Sequence, residues 1–239
     1  MKTTVSGEIS VPTLYVGAGA RGIIVGTILF CLISACAQTT GHLSAVVLIW
    51  VGLVPLHFGA LAASLLFLRR HCAPAAFWAI LDLHKPRYSW PGLAGRNLKA
   101  LLGVYPAVCL ITMLTAWAFS WTGYICRGSP LTPMFLTESG TFFWVSMILV
   151  PVVIAPIAEE LIFRLVLFEM VKVRNEHAAA VVASLAFAMV HLIPEEVPGL
   201  FLLGMVLQKM RRDQQSLWGP IMFHAAFNGL SIVLLTVVS

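Results

Sequence analysis

Thr141 to Val171 reads TFFWVSMILVPVVIAPIAEELIFRLVLFEMV, and this stretch decides the fold. It is long enough to cross a bilayer, for which about 20 apolar residues suffice. Yet it carries Glu159, Glu160 and Arg164 within six residues. Each ionised side chain near the middle of a membrane helix costs roughly 2.5–3.5 kcal/mol on insertion scales, so such groups are paired, functional or both.

The rest of the chain suits the same setting. Of its 239 residues 59% are hydrophobic and only 10% charged, with a mean hydropathy of +0.93. A soluble globular domain carries about 25% charged residues. The expected fold is all-α, a polytopic transmembrane helical bundle of about seven to eight membrane helices with no separate soluble domain. The net charge of +5 is not a nucleic-acid signal here; what matters is where the basic residues fall. The five cysteines form no C-x-x-C pair, so neither a zinc ribbon nor a disulfide framework is suggested. Ile33-Ser34-Ala35-Cys36 resembles a lipoprotein cleavage site. Another apolar run follows almost at once, which makes an ordinary first membrane helix the simpler reading.

Apolar runs place spans near residues 22–38, 44–68, 100–122, 141–171, 178–193, 197–210 and 217–238. The fourth is too long for one straight crossing, and Pro151 and Pro156 are expected to kink it or set off a re-entrant piece. Pro74 to Leu83 reads as a short interfacial helix, with Pro74 at the first helical position and Phe77 and Trp78 at headgroup level. With the N-terminus inside, only Arg127 and Arg164 of the 15 Lys and Arg residues fall off the inside face. This is what the positive-inside rule asks of a bacterial cytoplasmic membrane protein, although a eukaryotic endomembrane obeys a similar rule. Residues 1–140 then supply about three N-terminal spans with a basic inside loop at 69–99. Residues 141–239 form the helical core of one integral membrane unit.

Three pairs of residues have helical spacing: Glu160 with Arg164, Phe187 with His191, and His224 with Asn228 are each four residues apart. Residues at this spacing share a helix face. Glu160 is therefore placed to pair with Arg164, while Glu159, about 100° round the helix, faces elsewhere. Counting about 1.5 Å per residue, Glu159, His191 and Asn228 lie roughly 17–20 Å from the inside boundary, and Arg164 and His224 about 10–12 Å. Taken singly, the ion pair reads as structural, each histidine as an interhelical hydrogen-bonder and Asn228 as helix glue. Taken together, two carboxylates, two histidines and an amide at similar depth on three helices read as a site. His42, His57, His71, His84 and His177 stay outside it, near span ends or in basic loops, except that His57 reads as a structural residue beside Pro55.

Glu159–Arg164 matches EExxxR, Phe187–His191 matches FxxxH and His224–Asn228 matches HxxxN. In this order, over residues 141–238, the chain resembles the CPBP (Abi) family of intramembrane proteases, which are related to CAAX prenyl endopeptidases. Residues before 141 match only as hydrophobic spans. The resemblance implies an endopeptidase acting near the C-terminus or membrane anchor of a membrane-embedded or lipidated protein or peptide. It assigns water activation to Glu159 with His191 and oxyanion stabilisation to His224 with Asn228. Glu160 belongs to the catalytic set while pairing with Arg164, and Phe187 supports the motif.

The chemistry suits those residues. A carboxylate with a histidine can deprotonate water, and donors aimed at an oxyanion are worth roughly 3–4 kcal/mol each. Zinc is the alternative, with Glu159, His191 and His224 as ligands. No HExxH helix is present, and an Asn is a better oxyanion donor than zinc ligand, so a glutamate-type enzyme without a cofactor is favoured. The rival class is a non-catalytic membrane protein, an immunity factor or scaffold, since relatives of this kind are associated with bacteriocin self-immunity. A transporter is disfavoured by the short chain and the lack of an internal repeat. The substrate classes are a prenylated tail, a pheromone or bacteriocin leader, and a C-terminal sorting signal.

Overall fold

The computed structural model describes residues 4–5, 9–10, 13–22, 25, 28, 54–126, 140–172 and 175–238, the side chains of 4, 5, 9, 10, 54–58, 60 and 238 excepted. Most of the expected span 22–38, the start of span 44–68, His42, Cys36 and Arg127, and the side chain of His57, lie outside the described residues. An antiparallel pair, β1 (Thr4–Val5) and β2 (Ile9–Ser10), precedes the helices. These are α1 (13–22), α2 (Val54–His71), α3 (Pro74–Ile80), α4 (Trp90–Ser120), α5 (Thr141–Lys172), α6 (Glu176–Met189), α7 (Val197–Gln214) and α8 (Trp218–Val238). Helices α4, α5 and α8 are long and apolar enough to cross a membrane. Apart from the short β pair, the regular structure of the described residues is helical, and the chain is an integral membrane protein, as its composition predicts.

Local signals set the helix ends. Ser89 Oγ accepts from Gly92 N–H at 3.4 Å, and a proline sits in the first turn, so α4 starts ten residues before the apolar run expected from residue 100. A hydropathy reading misses that polar first part, while the cap and the proline predict it. Asn175 caps α6 in the same way, accepting from Ala178 N–H at 3.0 Å. Pro74 opens α3, as expected of the interfacial helix, and Trp78 on it is 66% exposed.

Helix α5 runs unbroken from Thr141 to Lys172 through both prolines, so no separate re-entrant piece is set off. Two π-helical stretches make this workable, Leu149–Ile154 and Glu160–Leu167. In the first, Ala155 N–H reaches the Val150 carbonyl, five residues back. The next donor in that register is Pro156, which has no N–H for the Pro151 carbonyl. Asn228 on α8 takes over, donating through Nδ2 to that oxygen at 2.8 Å. In the second stretch Phe168 N–H turns to the Phe163 and Leu165 carbonyls. Arg211 of α7 donates through Nη1 to the Arg164 carbonyl between them. Single π turns of this kind are rare and gather at functional sites.

Around α5 the other helices close in. Helices α6 and α7 form a tight pair at Ser184 and Gly204, where an added Cβ on Gly204 would lie 2.9 Å from Ser184 Cβ and 3.0 Å from its Cα. Small residues at such a crossing let two membrane helices approach closely. Gly199 likewise seats α7 against Val108 and Thr112 of α4. Beyond α4, Tyr124 donates to Glu195 in the α6–α7 turn at 3.3 Å. At the opposite end, the segment after α3 staples the α7–α8 turn: Leu217 N–H donates to the Asp82 carbonyl at 2.8 Å and Arg87 N–H to the Gln214 carbonyl at 3.0 Å. Trp218 Nε1 adds a bond to the Leu83 carbonyl at 3.1 Å.

One expected span is shorter than its apolar run. Helix α6 has 14 residues and stops at Met189, and Leu192 takes a left-handed turn at φ 57°. His191 therefore sits just past a helix end and not within the helix.

Gly204→Leu is expected to overpack the α6–α7 crossing and cost about 1–3 kcal/mol. Gly103→Leu is the control, since nothing lies within 4 Å of its added Cβ. Thermal unfolding in detergent should lower the midpoint for the first variant and leave the second unchanged; equal midpoints would remove the close-packing argument.

Candidate active site

Glu159 and Glu160 stand where the α-helical part of α5 passes into its second π stretch. Both are buried, at 5% and 0% exposure, with Arg164 at 1% and His224 at 2%. Arg164 Nε lies 3.3 Å from Glu160 Oε2, one turn away. The two meet off-line, because neither atom makes a geometrically sound hydrogen bond. Their attraction is charge to charge, and low polarity around them strengthens it. Arg164 also reaches the Gly204 carbonyl through Nη2 at 3.5 Å and lays its guanidinium over the Phe187 ring, 4.3 Å from the centroid. A desolvated cation on an aromatic face gains about 2 kcal/mol.

His224 joins the two carboxylates. Its Nδ1 is 2.9 Å from Glu160 Oε1, and its Nε2 is 3.7 Å from Glu159 Oε2. An ionised carboxylate only accepts, so Nδ1 carries the hydrogen towards Glu160. The gap on the Glu159 side is too long for a direct hydrogen bond. An oxygen seated beside it can touch both atoms.

His191 is fixed by its own helix. Its Nδ1 donates to the Phe187 carbonyl at 2.8 Å, which leaves Nε2 as the acceptor nitrogen. Phe187, fully buried, packs edge-on against both histidine rings, at 5.0 Å from His191 and 5.6 Å from His224. The aromatic residue of the FxxxH spacing thus separates Arg164, His191 and His224 while touching all three. Asn228, one turn beyond His224, spends an amide hydrogen on the Pro151 carbonyl.

The structure therefore brings Glu159, Glu160, Arg164, Phe187 and His224 into one cluster, with His191 held at its edge through Phe187. Asn228 adjoins His224 in sequence and anchors α8 to α5. Two participants went unread in the sequence. Gly204 offers its carbonyl to Arg164, and Arg211 holds the Arg164 carbonyl while bonding Asp82 Oδ2 at 2.9 Å and Glu169 Oε1 at 3.1 Å. Arg211 is legible only as one of the inside basic residues, since no spacing rule announces a side chain aimed at a helical carbonyl. Among the described residues no three His, Cys, Asp or Glu side chains converge as metal ligands would, the trio Glu159, His191 and His224 included.

Residues 141–230 match the family described as Type II CAAX prenyl endopeptidase Rce1-like. The match covers under half of the chain and contains every member of the cluster, in agreement with the resemblance carried by the three motifs. No curated protein and no solved structure matches the chain.

The Asn228 bond can be tested through the proline that makes it necessary. Asn228→Ala strands the Pro151 carbonyl and is expected to cost about 1–3 kcal/mol. Pro156→Ala restores an N–H for that oxygen, so the loss should shrink in the double variant. Denaturation of the four proteins measures the coupling; strict additivity would break the link between residues 156 and 228.

Proposed function

We propose that this chain is an intramembrane endopeptidase of glutamate type. It cuts a peptide bond near the C-terminus or membrane anchor of a membrane-embedded or lipidated protein or peptide, and its setting is a bacterial cytoplasmic membrane. One observation carries the reading. A buried histidine is held between two adjacent carboxylates, 2.9 Å from one and 3.7 Å from the other, inside the segment that matches an endopeptidase family.

The roles follow from the donors and acceptors. A water beside Glu159 loses a proton to that carboxylate as its oxygen attacks the scissile carbonyl carbon. The electron pair of the carbonyl moves onto its oxygen, and the new negative charge faces His224. With a proton on both nitrogens, His224 donates to Glu160 through Nδ1 and to the oxyanion through Nε2. Before the attack two carboxylates stand against a guanidinium and an imidazolium; after it the oxyanion takes the place of the Glu159 charge, so the buried cluster sums to zero throughout. The carbon–nitrogen bond then breaks, the leaving nitrogen takes the proton from Glu159, and an amine end departs together with a carboxylic acid that gives up its proton to solvent. Glu160 orients His224, Arg164 offsets the charge of Glu160, and the acceptor nitrogen of His191 steers the water. Asn228 has a second amide hydrogen for the oxyanion.

Glu159→Gln and His224→Gln should each lower turnover by about 10²–10⁴-fold without changing the amount of folded protein in the membrane. Comparing membrane and secreted peptides from cells with wild type or Glu159→Gln, by mass spectrometry, reads both the activity and the substrate. A non-catalytic scaffold predicts identical peptide profiles, and that result would end the proposal. Purified enzyme should also keep its activity in a strong chelator; loss that added zinc restores would replace the glutamate mechanism with a metal one.

A further inference from the structure

The stretch 69–99, which leads from the end of α2 through α3 into α4, carries six Lys and Arg residues and one acidic residue. Arg69, Arg70, Lys85, Arg87, Arg96 and Lys99 are all exposed, and among the described residues none has a carboxylate partner. Asp82, the one acid of the stretch, is held by Arg211 at 2.9 Å and stands 3.4 Å from His84. Glu169 and Asp213, on α5 and α7, are committed to Arg211, Lys172 and Lys209. Surplus cations beside a membrane are common. What sets this stretch apart is how two of them are held.

The first turns of α4 bury Leu93, Asn97 and Leu101, which leaves Arg96 and Lys99 on the outer side. Arg96 lays its guanidinium over the Tyr88 ring, 4.3 Å from the centroid. The ring takes the face of the guanidinium and leaves the edge, where the N–H donors lie, unused. Lys99 follows at one turn, with Leu98 beside it 59% exposed and Leu102, about 4.5 Å further along the axis, 73% exposed. Because α4 is long and apolar enough to cross a membrane, its exposed leucines face acyl chains. Arg96 and Lys99 therefore stand where acyl chain gives way to headgroup, and the half-exposed Trp90 is of the type that settles at that boundary. Asn97 donates through Nδ2 to the Gly219 carbonyl at 3.1 Å, and Trp90 meets Trp218 edge-on at 6.1 Å, so this face is fixed to the start of α8.

We propose that this face of α4 binds the head of an anionic phospholipid, of the phosphatidylglycerol class, from the leaflet beside it. The edge of the Arg96 guanidinium offers two parallel donors to the phosphate oxygens. Lys99 lays its stem on lipid and turns its ammonium back to the same head, while an acyl chain runs beside Leu98 and Leu102. The other four cations of the stretch raise the positive potential around the phosphate. No uncommitted carboxylate of the stretch receives an ammonium, so a choline or ethanolamine head brings a cation among cations, and a glycerol head does not. The occupant is a lipid and not a soluble acidic partner, because the exposed leucines carry the same face directly into hydrocarbon. Lipid binding alone tests this, whatever reaction the buried cluster performs.

The test uses the full chain purified in a mild detergent, with phosphatidylglycerol or phosphatidylcholine of matched acyl chains added. Phosphatidylglycerol should raise the melting temperature by about 4 °C or more over phosphatidylcholine. That difference should fall by at least about half between ~0.1 M and ~1 M salt, where the screening length drops from about 10 to about 3 Å. Arg96→Gln with Lys99→Gln should erase the difference and keep the lipid-free melting temperature within about 2 °C. Lys209→Gln with Arg212→Gln removes the same charge from exposed positions on α7 and should keep the difference. The salt series needs no variant and decides alone should the first pair not accumulate. Equal stabilisation by phosphatidylcholine, a difference that salt leaves intact, an unchanged difference in the first pair or an equal loss in the second would each overturn the proposal. Matching stabilisation by soluble polyglutamate would also overturn it and assign the face to an acidic protein.

Discussion

Two main-chain carbonyls on α5, those of Pro151 and Arg164, govern how the rest of the core is assembled. An apolar interior offers no water to a carbonyl that its own helix has released. Each must find a donor on a neighbour, and each finds one. Asn228 comes from α8 and Arg211 from α7. The first bond sets the register of α8, so that His224, one turn earlier, lands on Glu159 and Glu160. The second sets the register of α7, so that Gly204, two turns earlier, presents its carbonyl to Arg164. Helical irregularity in α5 is thus the cause of the site geometry on its neighbours.

The charges would be a poor way to gain stability alone. Desolvating an ion pair can cost more than the pairing returns, so burial of Glu160 and Arg164 is not explained by stability. What the cluster obtains is definition. Arg164 is held by a carboxylate, a carbonyl and an aromatic face at once, and His224 by carboxylates on one side and the edge of Phe187 on the other. Side chains restrained in this way lose little freedom when a substrate arrives, which is the condition for preorganised catalysis.

Much of this was legible in the sequence, because hydropathy and four-residue spacing are both local. The Glu160–Arg164 pair and the shared face of His224 and Asn228 follow from helix geometry. Pro151 and Pro156 were legible only as breakers, since a proline in a helix ordinarily removes a bond and bends the axis. Here a π register and a side chain from another helix absorb the loss, and no local pattern encodes that compensation. The same limit hid Arg211 among the basic residues of the positive-inside count. His191 was misplaced for a different reason: the apolar run continues through Leu192 and Ile193, although the helix stops at Met189. Hydropathy measures who tolerates lipid, not where a helix ends.

The early end of α6 has a consequence for the membrane around it. Fourteen residues rise about 21 Å, against a hydrocarbon thickness of about 30 Å. A helix that short makes the bilayer thin beside it or leaves its end in a hydrated recess. The shortfall falls at the end where His191 sits, its ring packed on Phe187 at the edge of the buried cluster. Hydrolysis inside a lipid bilayer must solve a supply problem before any bond can be cut, because oil holds almost none of the second reactant. For the proposed hydrolysis, a truncated helix is a route by which solvent can come to the site.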